Sequence, residues 1–251
     1  ERKRSQASMF PLALLRSRQF VVTNVVTFIV YAALGGALFL LPVQLQVVDH
    51  YSPIEAGLSL LPLTVIMLVF SSRSGRLAAR IGPRLQMGVG PVIVGLGLAL
   101  LARTSVDSFY PSGVLPAVVV FGAGLAVTVA PLTSTALNSV EDERAGLASA
   151  VNNDVARVGG LVAVAALPAL AGITGASYLH PEQFSAGFRT AVLISAGICV
   201  LGGVIAAIGI RNPVKAPQLK PATAPAVGQH RVGYLQGLHC SLDATPLAGE
   251  A

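Results

Sequence analysis

The sequence predicts an all-α integral membrane protein, a bundle of six transmembrane helices. The chain of 251 residues is 53% hydrophobic and only 11% charged, whereas soluble domains carry about 25% charged residues. Six apolar stretches are each long enough for a helix that crosses a bilayer, which takes roughly 20 residues. The basic residues cluster between these stretches. The net charge of +6 therefore indicates membrane topology and not a nucleic-acid surface.

The six stretches cover about residues 20–47, 57–75, 85–103, 113–138, 148–172 and 188–210. The connectors at 49–57, 103–113 and 174–187 are poor in Lys and Arg. The opposite side carries the basic residues Arg2, Lys3, Arg4, Arg16, Arg18, Arg73, Arg76, Arg80, Arg84, Arg144, Arg211, Lys215, Lys220 and Arg231. Because cytoplasmic connectors hold an excess of Lys and Arg, we expect a multi-pass protein of the cell membrane with both termini in the cytoplasm.

These patterns divide the chain into three parts. Residues 1–18 form a basic cytoplasmic lead segment, residues 19–211 form the six-helix bundle, and residues 212–251 form a tail rich in Pro and Ala, which we expect to be disordered. The chain opens on Glu1 without a signal-peptide pattern, so we expect it to be part of a longer polypeptide. We expect no metal site and no cofactor, because no spacing of Cys and His fits one.

Polar residues interrupt the fifth stretch, which contains "ASAVNNDVARVGGLVAV". On a helix, Asn153 and Arg157 share one side, while a stripe of valines occupies the other. Asp154 lies at the edge of the polar side, three residues before Arg157, at a spacing that allows side-chain contact. Charged groups in a membrane segment face protein or water. We therefore expect Asn153, Asp154 and Arg157 to form an intramembrane polar cluster with an ion pair.

Two roles for this cluster remain open. Asp154 could titrate and couple proton movement to a conformational change. Alternatively, Asp154 and Arg157 could form a fixed clamp between helices. An acid that a neighbouring Arg keeps ionised carries protons poorly.

Two further helices carry mixed polar and apolar stripes that suit a cavity for amphipathic organic molecules. In the first stretch the predicted cavity residues are Asn24, Tyr31 and Gln46. In the fourth stretch they are Phe121, Thr128 and Thr135. A membrane enzyme is not expected, because the spans contain no Ser/His/Asp, His-rich or paired-acid constellation.

The connector "GRLAARIGPR" between the second and third stretches is short and strongly basic. It resembles the signature loop of the major facilitator superfamily, in which Gly, Asp, a basic residue and a second Gly recur at fixed spacing. Gly75, Arg80, Gly82 and Arg84 match this pattern, whereas Ala79 stands where the family has Asp. We therefore expect Gly75, Arg76, Arg80, Gly82 and Arg84 to act as a gating hinge.

The segments "YAALGGALFLLPVQLQVVDHYSPIEAGLSLLPL" and "PLTSTALNSVEDERAGLASAVNNDVARVGG" extend the resemblance to the last six helices of fourteen-helix drug/proton antiporters. Arg157 matches these relatives, whereas many of them have a small or uncharged residue at the position of Asp154. The resemblance implies two inverted three-helix repeats. In such a fold the first helix of each repeat lines the central cavity, and the middle helix lies at the seam with a second half.

The resemblance implies proton-coupled efflux of amphipathic drugs by alternating access, with the coupling acid in an N-terminal half that is absent here. The expected partners are a small-molecule substrate, protons, membrane lipid and that missing half, on the same or a separate chain. Two alternatives stay open. One is a truncated or split half-transporter without activity of its own, and the other is an uptake symporter.

Overall fold

The computed structural model of the chain describes residues 14–104 and 109–212. Its α-helices are Arg18–Val47 (α1), Pro53–Leu58 (α2), Leu61–Ile81 (α3), Pro83–Leu101 (α4), Val114–Leu137 (α5), Ala145–Leu170 (α6) and Pro181–Gly209 (α7). No strand occurs within the described ranges. Residues 1–13 of the expected lead segment and 213–251 of the expected tail lie outside the described residues.

Six helical spans are long and apolar enough to cross a membrane, and α2 and α3 together form the second of them. The prediction of six spans is confirmed, although some boundaries differ. The last helix begins at Pro181, because proline fits the first helical position, where no backbone N–H is needed. The second span continues to Ile81 and ends at Gly82, whose φ of +90° favours glycine.

The helices pack in a pattern that repeats between the first three spans and the last three. Helix α1 packs on α6 and α7, and α5 packs in the equivalent way on α3 and α4. Helices α4 and α7 pack on each other, and α1 meets α5 in a smaller central contact. Exchanging the two sets of three spans leaves this pattern unchanged. The arrangement therefore agrees with two three-helix repeats.

The contacts also fix the directions of the helices. Along α1 and α6, Asn24 lies beside Asn152 and Gly36 lies beside Leu167, so these helices run in the same direction. Along α1 and α7, the pairs are Val22 with Gly209 and Gln44 with Ser185, so these helices are antiparallel. These directions are expected when each span crosses the membrane in the direction opposite to that of the span before it.

Glycines allow the closest helix crossings. A Cβ atom added to Gly97 of α4 would lie 2.5 Å from the backbone nitrogen of Phe121 in α5, and one added to Gly35 would lie 2.7 Å from Cα of Gly160. Small residues let membrane helices approach until their backbones touch. These two crossings hold α4 against α5 and α1 against α6.

Candidate functional site

One side of the bundle lacks a covering layer of helices. Four helices pack side by side as a strip, in the order α6, α1, α5 and α3. Helices α4 and α7 cover one side of the centre of this strip. Helices α3 and α6, at its two ends, make no extended contact with each other within the described residues. In the most apolar window of α3 only 11% of the residues are buried and in that of α6 only 22%, against 44% to 56% in the other four spans. We call the uncovered side of this strip the open edge.

The predicted cavity residues of α1 differ in exposure. Tyr31 is half-buried, and Gln46 is exposed and donates from Nε2 to the carbonyl oxygen of Pro42 at 3.1 Å. Both side chains are accessible to a molecule beside the bundle, as a cavity role requires. Asn24 is only 9% exposed and lies in the contact between α1 and α6. It therefore joins two helices and does not line an accessible surface.

A buried hydrogen-bond network connects α1 with α6. Asn152 donates from Nδ2 to Asn24 Oδ1 at 3.2 Å and to Thr27 Oγ1 at 2.8 Å. Asn24 in turn donates to the carbonyl oxygen of Phe20 at 2.9 Å. Asn152 is next to the predicted polar cluster in the sequence, but its side chain points toward α1. Sequence reasoning missed its role, although the presence of Asn24 and Thr27 on the facing helix was a possible signal.

The equivalent contact between α3 and α5 has its own polar link. Ser74 donates from Oγ to the carbonyl oxygen of Val127 at 3.1 Å. Gln86 of α4 donates from Nε2 to the carbonyl oxygen of Ser74 at 3.2 Å, which joins a third helix. Ser74 and Gln86 are both buried. The middle helix of each repeat is thus hydrogen-bonded to the first helix of the other repeat: α3 to α5, and α6 to α1.

The Asn152 network makes a specific prediction for stability. An Asn152→Ala variant removes both interhelical hydrogen bonds and leaves Asn24 Oδ1 without its donor. Interhelical hydrogen bonds in membranes contribute about 0.6 kcal/mol on average and up to about 1.7, so we expect a loss of about 1 to 2 kcal/mol in unfolding free energy. Denaturant unfolding of the purified protein in mixed micelles measures it.

The neighbouring asparagine provides the matched control. Asn153 is exposed and donates only to the carbonyl oxygen of Ser149 in its own helix, at 3.0 Å. We expect Asn153→Ala to change the unfolding free energy by less than about 0.5 kcal/mol. Equal losses in the two variants would contradict the assignment of the interhelical bonds to Asn152.

The predicted cavity stripe of α5 faces the interior of the bundle. Phe121, Thr128 and Thr135 are no more than 3% exposed. Phe121 packs on Gly97 of α4, and Thr128 donates from Oγ1 to the carbonyl oxygen of Gly124 at 2.7 Å. A hydroxyl that bonds its own helix can be buried at little cost. In this structure the three side chains are therefore not accessible from the bundle surface, and their place in a substrate cavity stays a prediction.

Other residues of α5 remain accessible. Val120, Ala123 and Val127 are half-buried and Ser134 is exposed. At about 100° per residue they lie away from the side that carries Phe121 and Thr128. The accessible surface of α5 is therefore more apolar than the sequence pattern indicated.

The polar cluster of α6 is accessible, but its expected ion pair is absent. Asn153, Asp154 and Arg157 are all exposed. The ion pair found within the described residues joins Arg144 and Glu141 at 3.7 Å, and Asp154 forms none with Arg157. Two exposed side chains gain little from pairing and lose rotamer freedom. A spacing of three residues permits the contact without requiring it.

Arg157 and Asn153 lie on the flank of α6 that faces away from α7. Val162 and Ala166 line a groove shared with α1 and α7. At about 100° per residue, Arg157 and Asn153 lie on the opposite flank of the helix, which is the flank toward the open edge. Arg157 is 12 residues beyond Ala145, the first residue of α6, which places it about 18 Å along the helix axis.

Tyr31 lies near the same level of the bundle. Its carbonyl oxygen is 3.7 Å from where a Cβ of Gly160 would be, and Gly160 follows Arg157 by about one turn. Tyr31, Asn153 and Arg157 thus place a phenol, an amide and a guanidinium around the α1–α6 contact. We call these three residues the polar edge group.

The basic loop is more helical than its sequence predicts. Gly75, Arg76 and Arg80 belong to α3, where both arginines are exposed, and the connection to α4 is Gly82 alone. Arg84 donates from Nε to the carbonyl oxygen of Ala207 at 2.7 Å and from its backbone N–H to Asn212 Oδ1 at 3.0 Å. The expected hinge over Gly75 to Arg84 is therefore reduced to Gly82. The hydrogen bonds with Ala207 of α7 and with Asn212 hold Arg84 in place after it.

A polar pocket lies at the end of the bundle opposite to the basic loop. His50, Tyr51, Glu55, Leu58, Ser59 and Tyr110 line a cavity of about 560 Å³. Tyr110 donates from its hydroxyl to the carbonyl oxygen of Ser59 at 3.0 Å. Burial, and then the nearby charges of Asp49 and Glu55, raise the pKa of Tyr51 above its usual value. Burial, and then the charge of Tyr51, raise the pKa of Tyr110 as well, so both tyrosines present neutral hydroxyls at ordinary pH.

The arrangement of the helices agrees with comparisons to known proteins. The family described as Major Facilitator Superfamily matches residues 1–164. The chain belongs to this superfamily. It is accordingly a multi-pass membrane protein. Membership of this superfamily indicates a transporter rather than an enzyme.

Several proteins with names that refer to drug resistance are similar to the chain. "Multidrug resistance protein Stp" of Mycobacterium tuberculosis is 30% identical over 180 residues, which is 72% of this chain and 33% of that protein. "Puromycin resistance protein pur8" of Streptomyces alboniger is 31% identical over 195 residues, or 73% of this chain and 39% of that protein. "Tetracenomycin C resistance and export protein" of Streptomyces glaucescens is 30% identical over 171 residues, or 66% and 31%. The chain thus spans between 31% and 39% of these three relatives.

Proposed function

We propose that this chain forms six helices of a transporter that exports amphipathic organic compounds by alternating access, coupled to the entry of protons. The observation that carries the proposal is the open edge, where α3 and α6 belong to the two least buried spans and the polar edge group is accessible. A second set of helices facing this edge would enclose a cavity between the two halves. Membership of the superfamily and the names of the similar proteins support the same function.

The accessible residues suit this substrate class. Tyr31 offers an aromatic face and a hydroxyl, and Val120 and Val127 of α5 offer apolar surface. Gln46, near the end of α1, adds an amide. A pocket with much apolar surface and few polar groups accepts varied amphipathic molecules. Specificity for one compound would require a larger set of fixed hydrogen bonds.

Arg157 has an electrostatic role in the proposal. It is a permanent cation about 18 Å along α6, and no acid of the described residues pairs with it. A carboxylate on a facing half would be stabilised in its ionised form by this charge, and protonation of that carboxylate would release the contact. Such a pair links proton binding to separation of the two halves.

Asp154 keeps both roles that its sequence position allows. Because Arg157 does not pair with it, the argument that Arg157 holds Asp154 ionised no longer applies. The two proposed roles, coupling of proton movement to a conformational change and a clamp between helices, both stay open. The exposure of Asp154 on α6 is compatible with either.

Dye accumulation in cells that lack their own efflux pumps tests the proposal. We expect cells that express the protein to accumulate less ethidium than cells with an empty vector, and we expect a protonophore to abolish the difference. The whole protein that contains this chain is the main sample, and the chain alone is measured in parallel. Unchanged accumulation with confirmed membrane insertion of the whole protein would contradict export.

The alternatives give different results in the same experiments. A split half-transporter is inactive alone and becomes active when co-expressed with a matching N-terminal half, since one half cannot enclose the cavity. An uptake symporter raises substrate accumulation in cells and does not load inside-out vesicles.

A further inference from the structure

A groove lies between α4 and α7, on the side of the bundle away from the open edge. It has a volume of about 440 Å³, and most of its lining is apolar, with Leu85, Val89, Val92 and Val204 among the lining residues. Val89, Val92 and Val204 are exposed. In a membrane protein such a surface meets lipid tails.

Glycines form the floor of this groove. Gly88 and Gly203 lie where α4 and α7 cross, and a Cβ on Gly203 would approach the carbonyl oxygen of Gly88 to 2.6 Å. Because these positions have no side chains, the valines beside them form walls around a narrow slot. The slot runs along the helices and is open to the bilayer.

The end of the groove where α4 begins is polar and positively charged. Arg84 and Asn212 line this end, and Arg211 is exposed next to Asn212. Arg84 uses Nε to bond Ala207 and its backbone N–H to bond Asn212. Its two terminal guanidinium nitrogens make no hydrogen bond within the described residues and can bind an anion. No acidic residue lines the groove.

We propose that this groove binds a phospholipid with an anionic headgroup. The phosphate lies against the guanidinium of Arg84, and one acyl chain lies in the slot over Gly88 and Gly203. Basic pockets between transmembrane helices on the cytoplasmic side are suited to anionic headgroups, and the positive-inside pattern places the start of α4 on that side. The site requires only that α4 and α7 span the membrane, so it does not depend on the proposed export.

A tryptophan reporter tests the site, because the chain contains no Trp. The Ile208→Trp variant places a single indole of the chain one turn beyond Val204, beside the groove and outside its lining. It is reconstituted in phosphatidylcholine bilayers that contain equal mole fractions of brominated phosphatidylglycerol or brominated phosphatidylcholine. We expect the brominated phosphatidylglycerol to quench the indole with at least twofold higher apparent affinity. Equal quenching by the two lipids would overturn the proposal.

A control reporter separates the groove from the bulk lipid. Leu193 is also exposed on α7, about 22 Å closer to the other end of the helix than Ile208. We expect the Leu193→Trp variant to be quenched equally by the two lipids. Selectivity of the same size at Leu193 would contradict a specific site at Arg84.

Substitutions of Arg84 test the role of its charge. Arg84→Gln in the Ile208→Trp background is expected to remove the selectivity, whereas Arg84→Lys keeps a cation and is expected to retain it. Loss of selectivity in both variants, with intact elution on size exclusion, would attribute the effect to the bond with Ala207 and overturn the headgroup assignment. Retention of selectivity in Arg84→Gln would overturn it as well.

Discussion

A Gly97→Ala variant is expected to lose about 2 to 3 kcal/mol of unfolding free energy. The added methyl group would lie 2.5 Å from the backbone nitrogen and 2.6 Å from Cα of Phe121. Backbone atoms cannot rotate away as the end of a side chain can. Helices α4 and α5 would have to separate, and the contacts around the buried Phe121 and Leu98 would be lost. Thermal or denaturant unfolding of the detergent-solubilised protein measures the loss.

Gly197 of α7 provides the matched control. It also lies inside a membrane-spanning helix, but among the described residues no atom beyond the nearby backbone of α7 lies within 4 Å of an added Cβ. We expect Gly197→Ala to be neutral or to stabilise the protein by up to about 1 kcal/mol, because alanine is the better helix former. A Gly97→Ala variant as stable as Gly197→Ala would show that α4 and α5 are not in backbone contact at this crossing.

An Arg157→Ala variant is expected to lose most of its transport and little of its stability. Arg157 is exposed and unpaired within the described part of the chain, so the unfolding free energy should change by less than about 0.5 kcal/mol. In the assembled transporter that we propose, the same side chain would face the cavity or the facing half. Removing one member of a desolvated charge pair costs about 2 to 5 kcal/mol, and we therefore expect transport to fall by at least about tenfold.

Two further variants distinguish a role for Arg157 across the open edge from a role within α6. If Arg157 acted by neutralising Asp154, the double variant Arg157→Ala/Asp154→Ala would recover transport. We expect no recovery, because the two side chains do not pair in the structure. Arg103→Ala, which removes an exposed arginine outside the helices, should transport normally. Recovery in the double variant, or equal loss in Arg103→Ala, would contradict the role proposed for Arg157.

The six spans could be predicted from the sequence because the requirement is local. A run of about 20 apolar residues satisfies the bilayer whatever its neighbours are. Helix ends depended on single residues, and Pro181 and Gly82 moved two of the predicted boundaries. The hinge was overestimated because charge alone does not break a helix. Arginines are good helix formers, and α3 continues through Arg80.

The direction of polar side chains could be predicted only in part. A helical wheel shows which residues share a side, but not which side faces a neighbouring helix. On α6 the polar side faces the open edge, whereas on α5 the side with Thr128 packs on α4. Asn152 and Asn212 make their contacts with residues more than 100 positions away in the sequence. The pattern within a single helix could not reveal these pairs.

The central claim is that the polar edge group faces an aqueous route and not lipid. Cysteine accessibility tests it in a variant that lacks Cys199 and Cys240, with Asn153→Cys on the open edge and Val204→Cys on the α4–α7 groove as the lipid-facing control. A membrane-impermeant, water-soluble thiol reagent should label the cysteine at position 153 in the assembled transporter, and excess substrate should slow this labelling. The control at position 204 should stay unlabelled. Lack of labelling at 153, together with labelling of a detergent-denatured sample, would contradict the account.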